Sequence, residues 1–185
     1  MSVLDIHVLD SPVLREETVP VAAVTDAIRQ LIRDMFETMY AAKGIGLAAP
    51  QIGRRERIAV IDVDDAPFAI INPVIVHREG GAVRGEEGCL SIPEVYGDVE
   101  RDVRVAVRAL DEQGEPFEIE AADLLARCLQ HEIDHLHGRL FIDYFSTLRK
   151  RAAKSKWERE RAKYPTGIRK LDPAEIAAHH TDEAL

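Results

Sequence analysis

Apolar positions recur along the chain with two different periods, and the changes of period outline its elements. After Thr25 the apolar residues are Ile28, Leu31, Ile32, Met35, Phe36 and Met39. This 3.6-residue stripe predicts an amphipathic helix capped by Thr25 and ending near Lys43-Gly44. Residues 57–63 and 68–76 then read as two strands joined by a turn at Asp64-Asp65-Ala66-Pro67, with Asn72-Pro73 marking a break or edge in the second. Residues 99–110 set Val103, Val105 and Val107 against Arg104 and Arg108, the alternation of a half-exposed strand, and a turn at 111–114 leads to a short return strand from Pro116. Helical spacing returns with Leu124, Leu125, Cys128, Leu129, Ile133 and Leu136, predicting a mostly buried helix that ends near Gly138. Ser146 caps a last helix running through Lys163, and Asp172-Pro173 is placed to start one short helix in the tail. The glycine-rich stretches 44–51 and 80–88 read as loops that can pass close to a ligand. At the start of the chain, Leu4 to Leu9 reads as extended, before a turn at Asp10-Ser11-Pro12.

Composition narrows the class. A chain of 185 residues with 46% apolar and 31% charged residues is ordinary for a globular domain with a sizeable core. No apolar run approaches the roughly 20 residues of a membrane helix, and the first residues lack a signal-peptide pattern. Two cysteines, Cys89 and Cys128, are too few for a disulfide framework. These features predict a cytoplasmic protein without a membrane role. The net charge of −9 argues against DNA binding by the whole surface. It is unevenly spread, however: residues 149–163 hold eight basic and two acidic side chains.

The candidate chemistry lies at residues 131–135, His-Glu-Ile-Asp-His. On a helix, positions four apart share a face, so His131 and His135 can bind one divalent metal while Glu132 beside them handles a proton. Buried histidines need partners, and a metal is the simplest partner for two imidazoles on one face. A catalytic centre takes a third protein ligand and keeps a position open. Cys89 is the candidate, because Gly88 allows close approach and a thiolate is favoured beside a dication. Cys128 has apolar surroundings and reads as packing. Asp143, His179 and His180 are the downstream alternatives that an H-E-x-x-H peptidase would use. Gln51 is the residue of interest in stretch 44–51, which lacks the lysine and hydroxyl of a phosphate loop. A metal-stabilised binding module is a further reading, against which Glu132 and Gln51 argue, since a structural site needs neither.

Three segments stand in order: Gly44-Ile45-Gly46-Leu47-Ala48-Ala49-Pro50-Gln51, Glu87-Gly88-Cys89-Leu90-Ser91 and His131-Glu132-Ile133-Asp134-His135. Together they resemble the signatures of the peptide deformylases, and the resemblance extends over roughly residues 4–160. It implies an α+β fold with small antiparallel β-sheets packed around a central metal-binding helix, flanked by an N-terminal and a C-terminal helix. It implies removal of the N-formyl group from the initiator methionine of nascent bacterial-type polypeptides, releasing formate. Cys89, His131 and His135 match the metal ligands, Glu132 the general acid/base, and Gln51 with the Leu90 backbone N–H the oxyanion donors. Gly46 matches a backbone partner of the substrate. Ile45, Glu87, Leu124, Arg127, Cys128 and His131 would line the methionine pocket, with the Arg127 stem on its wall and the charged head in solvent.

The metal implied by the resemblance is Fe(II), with zinc, nickel or cobalt replacing it in isolated protein. Such a metal acidifies its water, so that hydroxide attacks the formyl carbon while Glu132 moves the proton to the leaving amine. An ion pair between Asp134 and Arg101 is expected near the site. Residues 1–164 would form the catalytic domain, including the basic helix 146–163, and 165–185 a polar tail. The basic helix is expected to seek a polyanion, and the nascent-chain substrate points to the ribosome.

Overall fold

The computed structural model describes residues 2–172. The short helix expected from Asp172-Pro173, and His179 and His180, lie outside the described residues. In chain order the elements are β1 (Ile6–His7), α1 (Asp26–Ala41), β2 (Gly46–Ala48), β3 (Ile58–Val63), β4 (Ala66–Glu87), β5 (Gly97–Leu110), β6 (Pro116–Ala122), α2 (Asp123–Leu136), α3 (Thr147–Glu160) and β7 (Ile168–Arg169). Short 3₁₀ turns fall at Pro12–Arg15, Ala49–Ile52, Phe141–Tyr144 and Arg161–Lys163. Strands β2 to β6 form one antiparallel sheet in sequence order, and β1 pairs with β7 in a second. The class is α+β, as expected.

Strand β3 shows why the two helices sit where they do. Ala59 and Ile61 face α2, meeting Cys128, Leu129 and Ile133 in one core cluster. Ile58 and Val60 face the other way and meet Ile32, Met35 and Met39 of α1. A strand buried on both faces needs no polar alternation, which is why this one reads as a continuous apolar run. Helix α2 is therefore held between the sheet and the surroundings of Phe141. The caps form as expected: Thr25 Oγ1 accepts from the Ile28 N–H at 3.3 Å, and Ser146 Oγ from the Arg149 N–H at 3.4 Å.

Two stretches read as loops are strands. Gly46–Ala48 lies buried at the sheet edge, pairing Gly46 with Ile61 and Leu47 with Val60. Strand β4 runs eleven residues past the expected Val76, to Glu87, paired with β5 through three register shifts. Gly80 and Gly81, at φ +79° and +72°, occupy the last of these shifts, where an extra residue must be absorbed. Residues 76–84 of β4 are exposed on both faces, so they carry no apolar period to reveal the strand. At the expected break, Asn72 has φ +52°, and its amide exchanges two hydrogen bonds with the Val21 backbone, at 2.8 and 2.9 Å.

The chain after Tyr164 turns back onto the body. Ile168 and Arg169 pair with His7 and Ile6, and Leu171 packs on Ile6, Ala41 and Ala42. Residues 165–172, read as the start of a polar tail, are thereby docked beside the C-terminal end of α1.

Candidate active site

Helix α2 carries His131 and His135 one turn apart with ring centroids 5.0 Å from each other. Cys89 follows β4 directly, and its Sγ lies 3.3 Å from His135 Nε2. One donor atom each from Cys89, His131 and His135 fall within 4.8 Å of one another, the single such trio among the described residues. Asp143 is elsewhere engaged: Arg15 grips its two oxygens at 2.6 and 3.0 Å, and it caps the Leu140 N–H. The donor set of one sulfur and two imidazoles suits a divalent transition metal, and the polar atoms beside it fit the same reading. Burial lowers the His135 imidazole well below its ordinary range, which leaves a neutral ring able to ligate. Burial also lowers His131, but hydrogen bonding to Cys89 and Glu87 outweighs it and holds the ring well above its ordinary value.

His131 is oriented from behind. Its Nδ1 is 2.9 Å from Glu87 Oε2, which leaves Nε2 for the centre. Glu87 is fixed in turn by Arg101, whose Nε and Nη2 donate to its two oxygens at 2.8 and 3.0 Å. The third arm of Arg101 donates to Asp134 Oδ2 at 2.6 Å, Tyr144 donates to the same oxygen at 2.8 Å, and the guanidinium lies 4.6 Å over the Tyr144 ring. The expected Asp134–Arg101 pair is present, and it is buried rather than solvated. Burial alone would raise the Glu87 carboxyl, but the hydrogen bonds from His131 and Arg101 hold it down at about 2.

The catalytic candidates converge on the same point. Glu132 is buried, its Oε2 has no protein partner, and burial pushes its carboxyl up to about 7. Gln51 Oε1 accepts from the Ala48 N–H at 2.8 Å, which turns Nε2 toward Ser91 Oγ (3.2 Å) and Cys89 Sγ (3.6 Å). Gly46 passes so close that an added Cβ would lie 2.5 Å from Glu132 Oε1 and 2.9 Å from Cys128 Sγ. Gly46→Ala should therefore displace the carboxylate, lowering turnover by at least about 10², the usual share of a positioned acid/base, with little change in melting temperature. Wild-type turnover in that variant would contradict the close approach.

A cavity of about 730 Å³ opens over these groups. Ile45, Glu87, Leu124, Arg127, Cys128 and His131 all line it, together with Gly46, Gln51, Cys89, Leu90 and Glu132, while His135 lies behind the wall. Ile45 and Leu124 are exposed at its mouth. Burial pushes the Cys128 thiol well above its ordinary range, so it stays protonated, and it donates to the Ile45 carbonyl at 3.5 Å. Arg127 departs from expectation. Its head is not in solvent: the side chain is only 14% exposed, and the guanidinium donates to Glu87 Oε1, Val99 O and Val83 O, each at 2.9 Å. The β4–β5 ribbon offers those carbonyls beside a buried carboxylate, a better set of acceptors for a planar fork than water.

Comparison with known proteins identifies the family. Residues 3–151 match the family model for polypeptide deformylase. A peptide deformylase of Alkalilimnicola ehrlichii is 53% identical over 163 residues, covering 86% of this chain and 91% of the relative. The chain belongs to the polypeptide deformylase family. Among solved structures, a peptide deformylase from Legionella pneumophila superposes with a TM-score of 0.84 at 43% identity, covering 89% of this chain and 99% of that one. One from Ehrlichia chaffeensis, in complex with actinonin, gives 0.84 at 41% identity, covering 90% and 100%. The chain is thus a peptide deformylase-type hydrolase of a metal-dependent family that removes the N-formyl group from nascent peptides. No helix among the described residues is long and apolar enough to cross a membrane.

Proposed function

We propose that the chain hydrolyses the formyl amide of an N-terminal formyl-methionine, with Cys89, His131 and His135 holding one divalent metal. The observation that carries this reading is that Cys89, His131, the Glu132 carboxyl and the Gln51 amide line one cavity, with His135 completing the trio just behind its wall. In this assignment the metal is Fe(II) in the cell, with zinc, nickel or cobalt able to replace it in isolated protein. When bound, it supplies Lewis acidity that polarises the carbonyl and acidifies water at the site.

The protein's own groups do the rest. Glu132 takes a proton from the attacking water and passes it to the leaving nitrogen, so that the products are formate and a free N-terminal amine. A carboxyl near 7 is suited to both transfers at neutral pH. Gln51 Nε2 and the Leu90 N–H donate to the formyl oxygen as it gains charge, and the Gly46 backbone holds the peptide. The cavity wall of Ile45, Glu87, Leu124, Arg127 and Cys128 receives the methionine side chain. Gln51→Ala removes one oxyanion donor and should lower kcat by about 10²–10³ with KM little changed; an unchanged kcat would remove Gln51 from the mechanism.

Residues 1–164 are assigned as the catalytic unit, with 165–185 appended to it. Helix α3 is exposed except around Trp157, and with its flanking turn it carries the eight basic side chains of 149–163. Its partner is assigned as a polyanion, the ribosome near the emerging chain. Product analysis of a formyl-methionyl tripeptide tests the catalytic reading. Loss of the formyl group with both peptide bonds intact supports it. Cleavage at a peptide bond, or no reaction with well-folded, iron-loaded protein, would overturn it.

A further inference from the structure

The cavity over the metal trio, at about 730 Å³, is lined by more than the catalytic groups and the residues assigned to the methionine. Besides the catalytic groups it is lined by Ala42, Lys43 and Gly44 from the end of α1 and its turn, and by Tyr164, Arg169 and Lys170 from the C-terminal segment. That segment lies outside the matched stretch 3–151. It is held at the cavity by the β1–β7 pairing, by a Val8 N–H to Gly167 O hydrogen bond of 3.0 Å, and by Leu171 packed on Ala41 and Ala42. Lys43 and Lys170 are exposed, and among the described residues neither is held in an ion pair. The same lining also carries Glu86 and Glu94, while the charge of Glu87 is already matched by Arg101 and Arg127.

The direction of a bound peptide follows from the edge strand. Strand β2 is the end of the sheet, so an added chain can pair along its outer side at Gly46, short of Ala48, whose N–H is taken by Gln51 Oε1. Gly46 touches Glu132, which fixes the formyl end there. Beyond Gly46 in one direction, Leu47 and Ala48 are fully buried and do not line the cavity. The chain must therefore leave past Gly44 and Lys43. Three residues of extended chain span ~10 Å, which brings the second or third residue of the substrate level with Lys43 and the Lys170 wall.

We propose that Lys43 and Lys170 form a specificity-determining wall that favours formylated peptides with an acidic side chain at the second or third position. The inference rests on the deformylase reading of the site and deepens it by naming a preferred substrate class. Both cations come from places a sequence reading treats as punctuation, a helix end and a tail. Only the docking of β7 brings them to one cavity.

The test compares kcat/KM for formyl-Met peptides with Asp, Ala or Lys at position two or three, at low salt, in wild type, Lys170→Glu and Lys43→Glu/Lys170→Glu. Ratios within one preparation cancel any difference in folded fraction. Wild type should favour Asp over Lys by roughly threefold to tenfold, and the preference should fade at ~1 M salt, where the Debye length is ~3 Å. Lys170→Glu should reduce the ratio and the double variant should invert it. Arg33→Glu on α1, which makes the same charge change away from the cavity, should leave it as in wild type. An equal Asp/Lys ratio in wild type and the double variant, with the Ala peptide still deformylated, overturns this inference alone. No formate from any peptide overturns it together with the reading on which it rests.

Discussion

Glu132→Gln is expected to lower kcat for formate release by about 10²–10⁴, the range ascribed to a positioned acid/base, while the protein keeps its fold and one metal per chain. The substitution preserves shape and removes only the ability to carry the proton. In the structure Glu132 Oε2 has no protein partner in a buried site, so the side chain contributes little to holding the fold together. Burial pushes the carboxyl to about 7, a cost that a merely structural glutamate would have no reason to carry. Formate release and metal content, measured on the same preparation, check both halves. A variant with more than about a tenth of wild-type kcat would place the proton transfer elsewhere.

Arg101→Met should be the most destabilising single change near the site. Arg101 and Glu87 are each only 4% exposed in their side chains, and Asp134 shares the same guanidinium. Removing the cation leaves Glu87 to Arg127 and His131 and leaves Asp134 to Tyr144 and a 3.9 Å approach of Arg139; breaking a buried pair typically costs about 3–5 kcal/mol. At ~2–4 °C per kcal/mol for a chain of this size, the melting temperature should fall by roughly 6–20 °C. The pH dependence has a definite sign. Glu87 is held at about 2, below its ordinary 4.5. Its contribution to stability is therefore full above that ordinary value and fades as pH falls through the folded value. Wild type should lose stability across that window, and Arg101→Met should show a flatter profile there. Adding Glu87→Gln and Asp134→Asn should recover part of the melting temperature. It should not restore metal affinity, because Glu87 also orients His131 and the loss of such a support costs about 10–100-fold. A melting temperature for Arg101→Met within about a degree of wild type would contradict the network's role.

These effects concern groups that differed in how plainly the sequence announced them. Helix α1, with its Thr25 cap, and helix α2, with His131, Glu132 and His135, were legible because a helix half-buried against a sheet must repeat its apolar residues every three or four positions. Cys89 was legible from its glycine neighbour and the need for a third ligand, and the structure brings it to within 3.3 Å of His135. The strand at Gly46–Ala48 and the outer half of β4 were not legible. The first is too short and its residues too small to show a period, and the second is solvated on both faces over residues 76–84, so backbone pairing alone defines it there. The double role of Glu87, lining the cavity and fixing His131, depends on contacts separated by more than forty residues. No local pattern records such contacts. Arg127 misled for a related reason: a long cation beside a pocket is expected to reach water, unless distant carbonyls such as those of Val83 and Val99 happen to face it.

The most direct test of the assigned centre is a ferrous titration of metal-free protein prepared without oxygen, followed by formate release from a formyl-methionyl tripeptide. Activity should rise linearly and break at one equivalent per chain. Glu132→Gln should bind the same equivalent with almost no release, and Cys89→Ala should lose the tight binding step. Formate release that survives removal of the metal, or full activity in Cys89→Ala, would contradict the centre.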